Sequence, residues 1–384
     1  MSTQTNYLAS KPHYVILDGL RGVAAVMVII FHLFEAHATS HLDQFINHGY
    51  LAVDFFFMLS GFVIGYAYDD RWGKMTMGDF FKRRIIRLHP MVIIGSIIGA
   101  IFFFFQDAPC FPNIHDTSVG MVIIIMLYGC TLLPLPLKFD IRGWTEMHPL
   151  NGPAWSLYYE YIGNILYALF VRKFSKTMLS IFVFLAACAT VHLCLTAPKG
   201  DIIGGWALNW EQQYVGFVRL MYPFFGGLLL SRLGWILRIK KRAFWYCSLL
   251  IVGVLAIPRI GGAEMLWMNG LYDAFVILFV FPVIVSMGAG GNVTGKRSTR
   301  LCKFLGDISY PVYITHYPLV YTYTAWVCNN KPTLAEAIPY MLLTIAGAFV
   351  LAYACLKLYD EPVREWLKQR FLMKKVKTRP NEGA

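Results

Sequence analysis

The chain has 384 residues, of which 57% are hydrophobic, 16% aromatic and only 15% charged, and its mean hydropathy is +0.53. Average soluble domains are about a quarter charged, so this composition excludes disorder, a coiled coil and an ordinary soluble enzyme. The 34 Lys and Arg against 22 Asp and Glu give a net charge of +12. The positive residues sit in clusters between apolar runs, as in loops facing an anionic cytoplasmic leaflet, and no nucleic-acid partner is expected.

A membrane span needs about 20 largely apolar residues. Eleven segments qualify in chain order: 20–38, 49–68, 90–106, 118–137, 153–171, 178–196, 212–231, 243–261, 270–289, 306–327 and 334–357. Basic clusters follow the second (Lys82, Arg83, Arg84, Arg87), the fifth (Arg172, Lys173, Lys176), the seventh (Arg238, Lys240, Lys241, Arg242) and the ninth (Lys296, Arg297, Arg300, Lys303), and Lys374, Lys375, Lys377 and Arg379 form the tail. The stretches 40–48 and 106–117 carry no Lys or Arg, which suits the opposite side. Three candidates separate the clusters at 82–87 and 172–176, although two clusters on one side require an even number of crossings. One of 90–106, 118–137 and 153–171 is therefore expected not to cross, and Pro134 and Pro136 mark that neighbourhood.

The expected fold is an all-α, polytopic membrane helix bundle with about ten full transmembrane helices and one partial or re-entrant element. It places a cytoplasmic tail at 1–13, a membrane domain over 14–365 and a basic cytoplasmic tail at 366–384, in the inner (cytoplasmic) membrane with the lipid bilayer as partner. Oligomeric state is not legible. The N-terminus shows no small-residue cleavage site, so no signal peptide is expected. Eight scattered cysteines without a C-x-x-C pair read as packing residues.

Ionisable residues inside apolar runs are costly and ask for a reason. Arg21 and His32 are eleven residues apart, which puts them on one helix face about 16 Å apart along the axis. His32 is either a packing histidine or a base in a polar tunnel, since imidazole titrates near neutral pH. Glu35, one turn on, either orients His32 or faces the outer interface. Asp54 is either a base or a buried partner for Arg or backbone amides. Arg84 and Arg87, at i and i+3 of a helix start, serve as a topology signal or as a phosphate clamp. Glu160 sits inside an aromatic helix and needs a partner, for which Arg219 is a candidate, as it is for Asp54. Asp273 and His316 lie inside later spans. There is no Walker loop, G-x-S-x-G, H-E-x-x-H or Cys/His quartet, so a proton-transfer base is the most economical catalyst and no metal is expected.

Six ordered motifs carry a resemblance. Leu17-Asp18-Gly19-Leu20-Arg21-Gly22 followed by His32 resembles the R-x10-H signature of the membrane acyltransferase 3 family. Val53-Asp54-Phe55-Phe56-Phe57-Met58-Leu59-Ser60-Gly61-Phe62 is similar to its second-helix motif, Arg84-Ile85-Ile86-Arg87 to R-x-x-R, and Trp155-Ser156-Leu157 with Glu160 to W-S-L-x-x-E. The run from Ser309 and Tyr310 through Tyr313 to His316 resembles its late S-Y-x-x-Y-x-x-H motif, with Pro311 as a departure that could kink the helix, and Asp360-Glu361-Pro362-Val363-Arg364 its closing E-x-P-x-R.

The resemblance implies transfer of an acyl group, usually acetyl, from cytoplasmic acyl-CoA to a hydroxyl of an envelope carbohydrate or glycolipid. It implies His32 as general base or acyl carrier, with the general-base route favoured, and Glu160 or Asp54 steadying the imidazolium. Arg21, Arg84 and Arg87 would hold the donor, acetyl-CoA. Asp18, Trp155, Ser156, Arg219, Ser309, Tyr310, Tyr313 and His316 are further pocket candidates. The competing readings are a transporter or flippase of a glycan or glycolipid, suggested by polar residues in Pro/Gly-interrupted spans, and a non-catalytic assembly factor.

Overall fold

The computed structural model describes Lys11, residues 13–293 and residues 295–372. Most of the expected N-terminal tail and the basic run from Lys374 to Arg379 lie outside the described residues. All regular structure among the described residues is helical.

The apolar run predicted for the first span forms α1 (Val15–Glu35), with Arg21 near one end and His32 near the other. A loop and a short turn lead into α2 (Ala52–Tyr68). The next helix, α3 (Met77–Phe102), begins well ahead of the expected residue 90, because Thr76 and Asp79 cap it reciprocally. Arg84 and Arg87 consequently lie on α3 itself, as their i, i+3 spacing at a helix start implied, ahead of the apolar span counted from residue 90.

Between α3 and α5 (Ala154–Leu169), the expected span 118–137 supplies only α4 (Val119–Gly129), of 11 residues. At 1.5 Å per residue it reaches about 16 Å, roughly half the hydrocarbon thickness. Residues 130–153 then run without a long helix.

The second half continues through α6 (Lys176–Thr196), α7 (Trp210–Leu233) and the short α8 (Ala243–Ala256). Two wide-turn joints follow. α9 (Leu266–Phe275) runs through a π-helical stretch, Val276–Val280, into α10 (Phe281–Gly290), and after α11 and α12 the same device links α13 (Leu334–Cys355) through Leu356–Asp360 to α14 (Glu361–Phe371). Each stretch ends just ahead of a proline, Pro282 or Pro362, whose missing N–H breaks the regular hydrogen-bond ladder. The span expected at 306–327 is two helices, α11 (Lys296–Thr315) and α12 (Tyr317–Asn330), broken at His316. Pro311 lies inside α11, and the break falls two residues before Pro318, not at Pro311.

Seven helical segments are long and apolar enough to cross a membrane. The other expected crossings fall on the shorter α5 and α8 and on the α11–α12 pair. Apolar side chains such as Phe184, Leu185, Leu343 and Val350 are exposed on α6 and α13, as on a surface that meets lipid tails.

Two close helix crossings set the frame. α2 packs on α7 and α1 on α11. A Cβ at Gly61 would lie 1.7 Å from the Phe224 carbonyl oxygen, and one at Gly227 would lie 2.0 Å from that of Met58. Only glycine lets the α2 and α7 backbones approach this far. With those helices fixed, α1, α2, α3, α5, α11 and α14 surround a cavity open at one end of the bundle.

Candidate active site

The cavity has a volume of about 760 Å³. Seven Arg and Lys side chains line it (Arg21, Arg83, Arg84, Arg87, Lys303, Arg364, Lys368) against four carboxylates (Asp18, Glu160, Asp307, Glu361). The surplus of cations on low-dielectric walls focuses a positive potential suited to a polyanion. His13 lies at the same end; its hydrogen bond with Asp18 raises it above the ordinary imidazole range.

The cations divide by how much they are already committed. Arg84 Nη2 donates to Glu160 Oε1 at 2.7 Å, and Ser60 Oγ donates to the same oxygen at 2.6 Å. Arg364 pairs with Asp360 at 2.9 Å, and Arg21 lies 3.5 Å from Asp18. Arg87 and Lys303 have no ion pair among the described residues, so their charges are available. A bidentate guanidinium is the natural ligand for phosphate oxygens.

The wall turns apolar and aromatic with depth. Val53, Phe56, Phe57, Leu157 and Tyr313 line the inner end. Phe56 meets Tyr313 edge to face at 5.2 Å, and the Tyr313 hydroxyl is 2.7 Å from Ser156 Oγ. Tyr310 also lines the cavity and donates to the Leu88 carbonyl, while Ser309 Oγ donates to that of Gly306.

His32 is not a lining residue of this cavity. Beyond Tyr313 comes His316, with ring centroids 6.1 Å apart, and beyond His316 comes His32, again at 6.1 Å with nearly parallel rings. Tyr317 packs edge-on against His32 at 4.8 Å. The expectation that His32 forms the floor of the donor tunnel is therefore modified: two rings stand between the cavity and the imidazole.

His32 Nδ1 is 2.7 Å from Glu35 Oε2. A carboxylate accepts, so Nδ1 carries a proton, and in the neutral ring Nε2 is left to present its lone pair, the tautomer a general base needs. In His316 the assignment is also forced. Its Nδ1 faces the carbonyls of Val312 and Tyr313 at 3.0 and 2.9 Å, both acceptors, leaving a buried Nε2 with no partner.

The imidazolium partners expected at Glu160 and Asp54 are elsewhere. Glu160 is engaged with Arg84. Asp54 is fully buried and takes Arg219 through both oxygens, at 2.7 and 3.3 Å, while Arg219 also donates to the carbonyls of Tyr50 and Gly204. Trp155 covers that guanidinium at 5.2 Å. Asp54, Arg219 and Trp155 thus form a buried unit apart from the cavity lining. The cavity gathers Asp18, Arg21, Arg84, Arg87, Ser156, Glu160, Ser309, Tyr310 and Tyr313.

Sequence reasoning passed over a second polar cluster beyond His32. The Tyr321 hydroxyl donates to Glu146 at 2.6 Å, Arg142 lies 3.7 Å from the same carboxyl, and the Arg142 guanidinium stacks 3.6 Å over the Tyr321 ring. Burial pushes the Glu146 carboxyl up to about 7. Among the described residues no group of three or more His, Cys, Asp or Glu is arranged to hold a metal ion.

Residues 14–353 match a family described as "Acyltransferase domain". The chain is 31% identical to "Protein 2 in picA locus" of Rhizobium radiobacter over 48% of this chain and 95% of that protein. It is 22% identical to the "Peptidoglycan O-acetyltransferase OatA" of Listeria monocytogenes over 95% of this chain and 58% of the relative. It is 23% identical to "Acyltransferase MdmB" of Streptomyces mycarofaciens over 79% of this chain and 78% of the relative. The chain thus spans little more than half the length of the OatA relative. No solved structure matches.

Proposed function

Because the chain belongs to the acyltransferase-domain family and is a multi-pass membrane acyltransferase, we propose that it moves an acyl group, acetyl in the first instance, from acyl-CoA on the cytoplasmic side to a hydroxyl of an envelope carbohydrate or glycolipid. The observation that carries this reading is the ordered succession from cationic cavity to Tyr313, His316 and the His32–Glu35 pair: a polyanion site and a tautomer-fixed base lie in line along the bundle.

In this account the phosphates of acyl-CoA sit among Arg87, Lys303 and their neighbours, and the thioester reaches the apolar inner end. To meet His32 the thioester has to pass the Tyr313 and His316 rings that separate the cavity from it. His32 Nε2 removes the proton from the acceptor hydroxyl, and the oxygen attacks the thioester carbonyl. The C–S bond breaks, and the CoA thiolate takes the proton back from the imidazolium. Glu35 stabilises that imidazolium, the role first assigned to Glu160 or Asp54. Donor and base need no metal.

The test is acetyl transfer from labelled acetyl-CoA to membrane carbohydrate. His32→Ala is expected to purify as a folded, monodisperse protein and to lose transfer; near-normal transfer by this variant would refute the reading. Accumulation of unmodified substrate in vesicles without CoA would instead identify a transporter.

A further inference from the structure

One buried imidazole takes no part in the proton transfer. His316 is fully buried at the break between α11 and α12, where Pro318 has no N–H with which to continue the α11 ladder. Its own backbone is satisfied on both sides. The N–H donates to the Val312 carbonyl at 3.0 Å, and the carbonyl accepts from Leu319 and Val320 at 3.0 and 3.1 Å.

The side chain is satisfied on one edge only. Nδ1 donates back to the Val312 and Tyr313 carbonyls, which fixes the ring against its own helix. Nε2, at the far edge of that ring, is left as a pure acceptor, buried and without a partner among the described residues. The rings packed against it have no donor to spare: the Tyr313 hydroxyl pairs with Ser156 Oγ at 2.7 Å, and His32 Nδ1 with Glu35 at 2.7 Å. A buried acceptor without a donor costs free energy that a ligand N–H recovers without having to desolvate it first.

Its place in the row says which ligand. Tyr313 lines the cationic cavity, His316 follows at 6.1 Å, and His32 lies a further 6.1 Å on. Nε2 therefore stands on the donor side of the base. Between its phosphates and its acyl group, acyl-CoA carries an arm whose N–H donors are amides. The amide nearest the sulfur is four bonds from the thioester carbonyl carbon, a reach of about 5 Å at ordinary bond lengths. An amide held at His316 thus brings the acyl carbon to the neighbouring ring, His32.

We infer that His316 Nε2 accepts a hydrogen bond from the acyl-CoA amide nearest the thioester and so positions the acyl carbon against His32, which rests on the donor and base named under the proposed function. The contact also selects the donor. A thioester without that N–H leaves Nε2 unpaired and is transferred less well.

The experiment compares acetyl-CoA with an analogue in which the amide nearest the thioester is an ester, using the full-length protein in proteoliposomes. The wild type is expected to favour the amide by roughly tenfold in kcat/KM. His316→Asn keeps a donor for the Val312 and Tyr313 carbonyls and removes the Nε2 acceptor; His316→Leu removes both nitrogens and fills similar space. Both are expected to bring the amide and ester donors within about twofold of each other. The ratio is read on one preparation, so a lower yield of folded protein cancels. Equal use of the two donors by the wild type, or an amide preference that survives in either variant, overturns the contact and leaves the proposed function standing. Transfer from neither donor by the wild type overturns both.

Discussion

Glu35→Gln is the sharpest test of the His32 site. Glutamine keeps the side-chain length and can still accept from His32 Nδ1, so tautomer and packing survive and only the charge is lost. The contact is short, 2.7 Å, with His32 18% and Glu35 35% exposed. Two unit charges centred about 4 Å apart at an effective dielectric of 20 interact by about 4 kcal/mol. The partial exposure of Glu35 reduces this to roughly 2–3 kcal/mol of imidazolium stabilisation, the range found for hydrogen bonds to charged groups. At 1.36 kcal/mol per decade, kcat should fall by roughly 30- to 150-fold. KM for acetyl-CoA should stay within about twofold, because Glu35 is not part of the donor cavity. The assay is steady-state acetyl transfer in detergent or proteoliposomes. A kcat loss under about threefold, or a large rise in KM at unchanged kcat, would refute the role given to Glu35.

Arg87→Gln removes an uncommitted cavity charge and should weaken acetyl-CoA binding by roughly tenfold in a thermal-shift titration, with little change in Tm without ligand. Asp54→Asn breaks a buried ion pair and should cost about 3–5 kcal/mol of stability, seen as a lowered Tm, while folded enzyme keeps its kcat; a selective kcat loss at normal Tm would make Asp54 catalytic after all. Gly61→Ala should lower Tm by forcing α2 from α7, at a cost of about 1–3 kcal/mol. Glu146 binds its proton more tightly in the folded state, so its contribution to stability is full below the ordinary carboxyl range and is lost as pH rises through about 7. Glu146→Gln should flatten that part of the Tm-against-pH curve.

Much of this site was legible because local motifs carry it: Arg84, Arg87, Glu160, Tyr310 and Tyr313 all line the one cavity. The partnerships were harder. Asp54 and Arg219 are 165 positions apart, and nothing in either neighbourhood chooses between Arg84 and Arg219 as the partner of a given carboxylate. The i, i+3 spacing of His32 and Glu35 permits their hydrogen bond without requiring it, since the same spacing also places Glu35 at the helix end. Glu146 and Arg142 lie in an irregular stretch where no periodicity signals which side chains turn inward. The early start of α3 did have a signal, the Thr76-x-x-Asp79 cap, which the apolar count over 90–106 overrode. The length of α4 had none, because the apolar run outlasts the helix.

The most direct measurement of the central claim is transfer in sealed vesicles of both orientations, with labelled acetyl-CoA and a carbohydrate acceptor confined to opposite faces. The account predicts acetylated product only when acetyl-CoA is on the face bearing Arg87 and Lys303 and the acceptor is on the other, with none from His32→Ala. Product formed only when donor and acceptor share one face would contradict it.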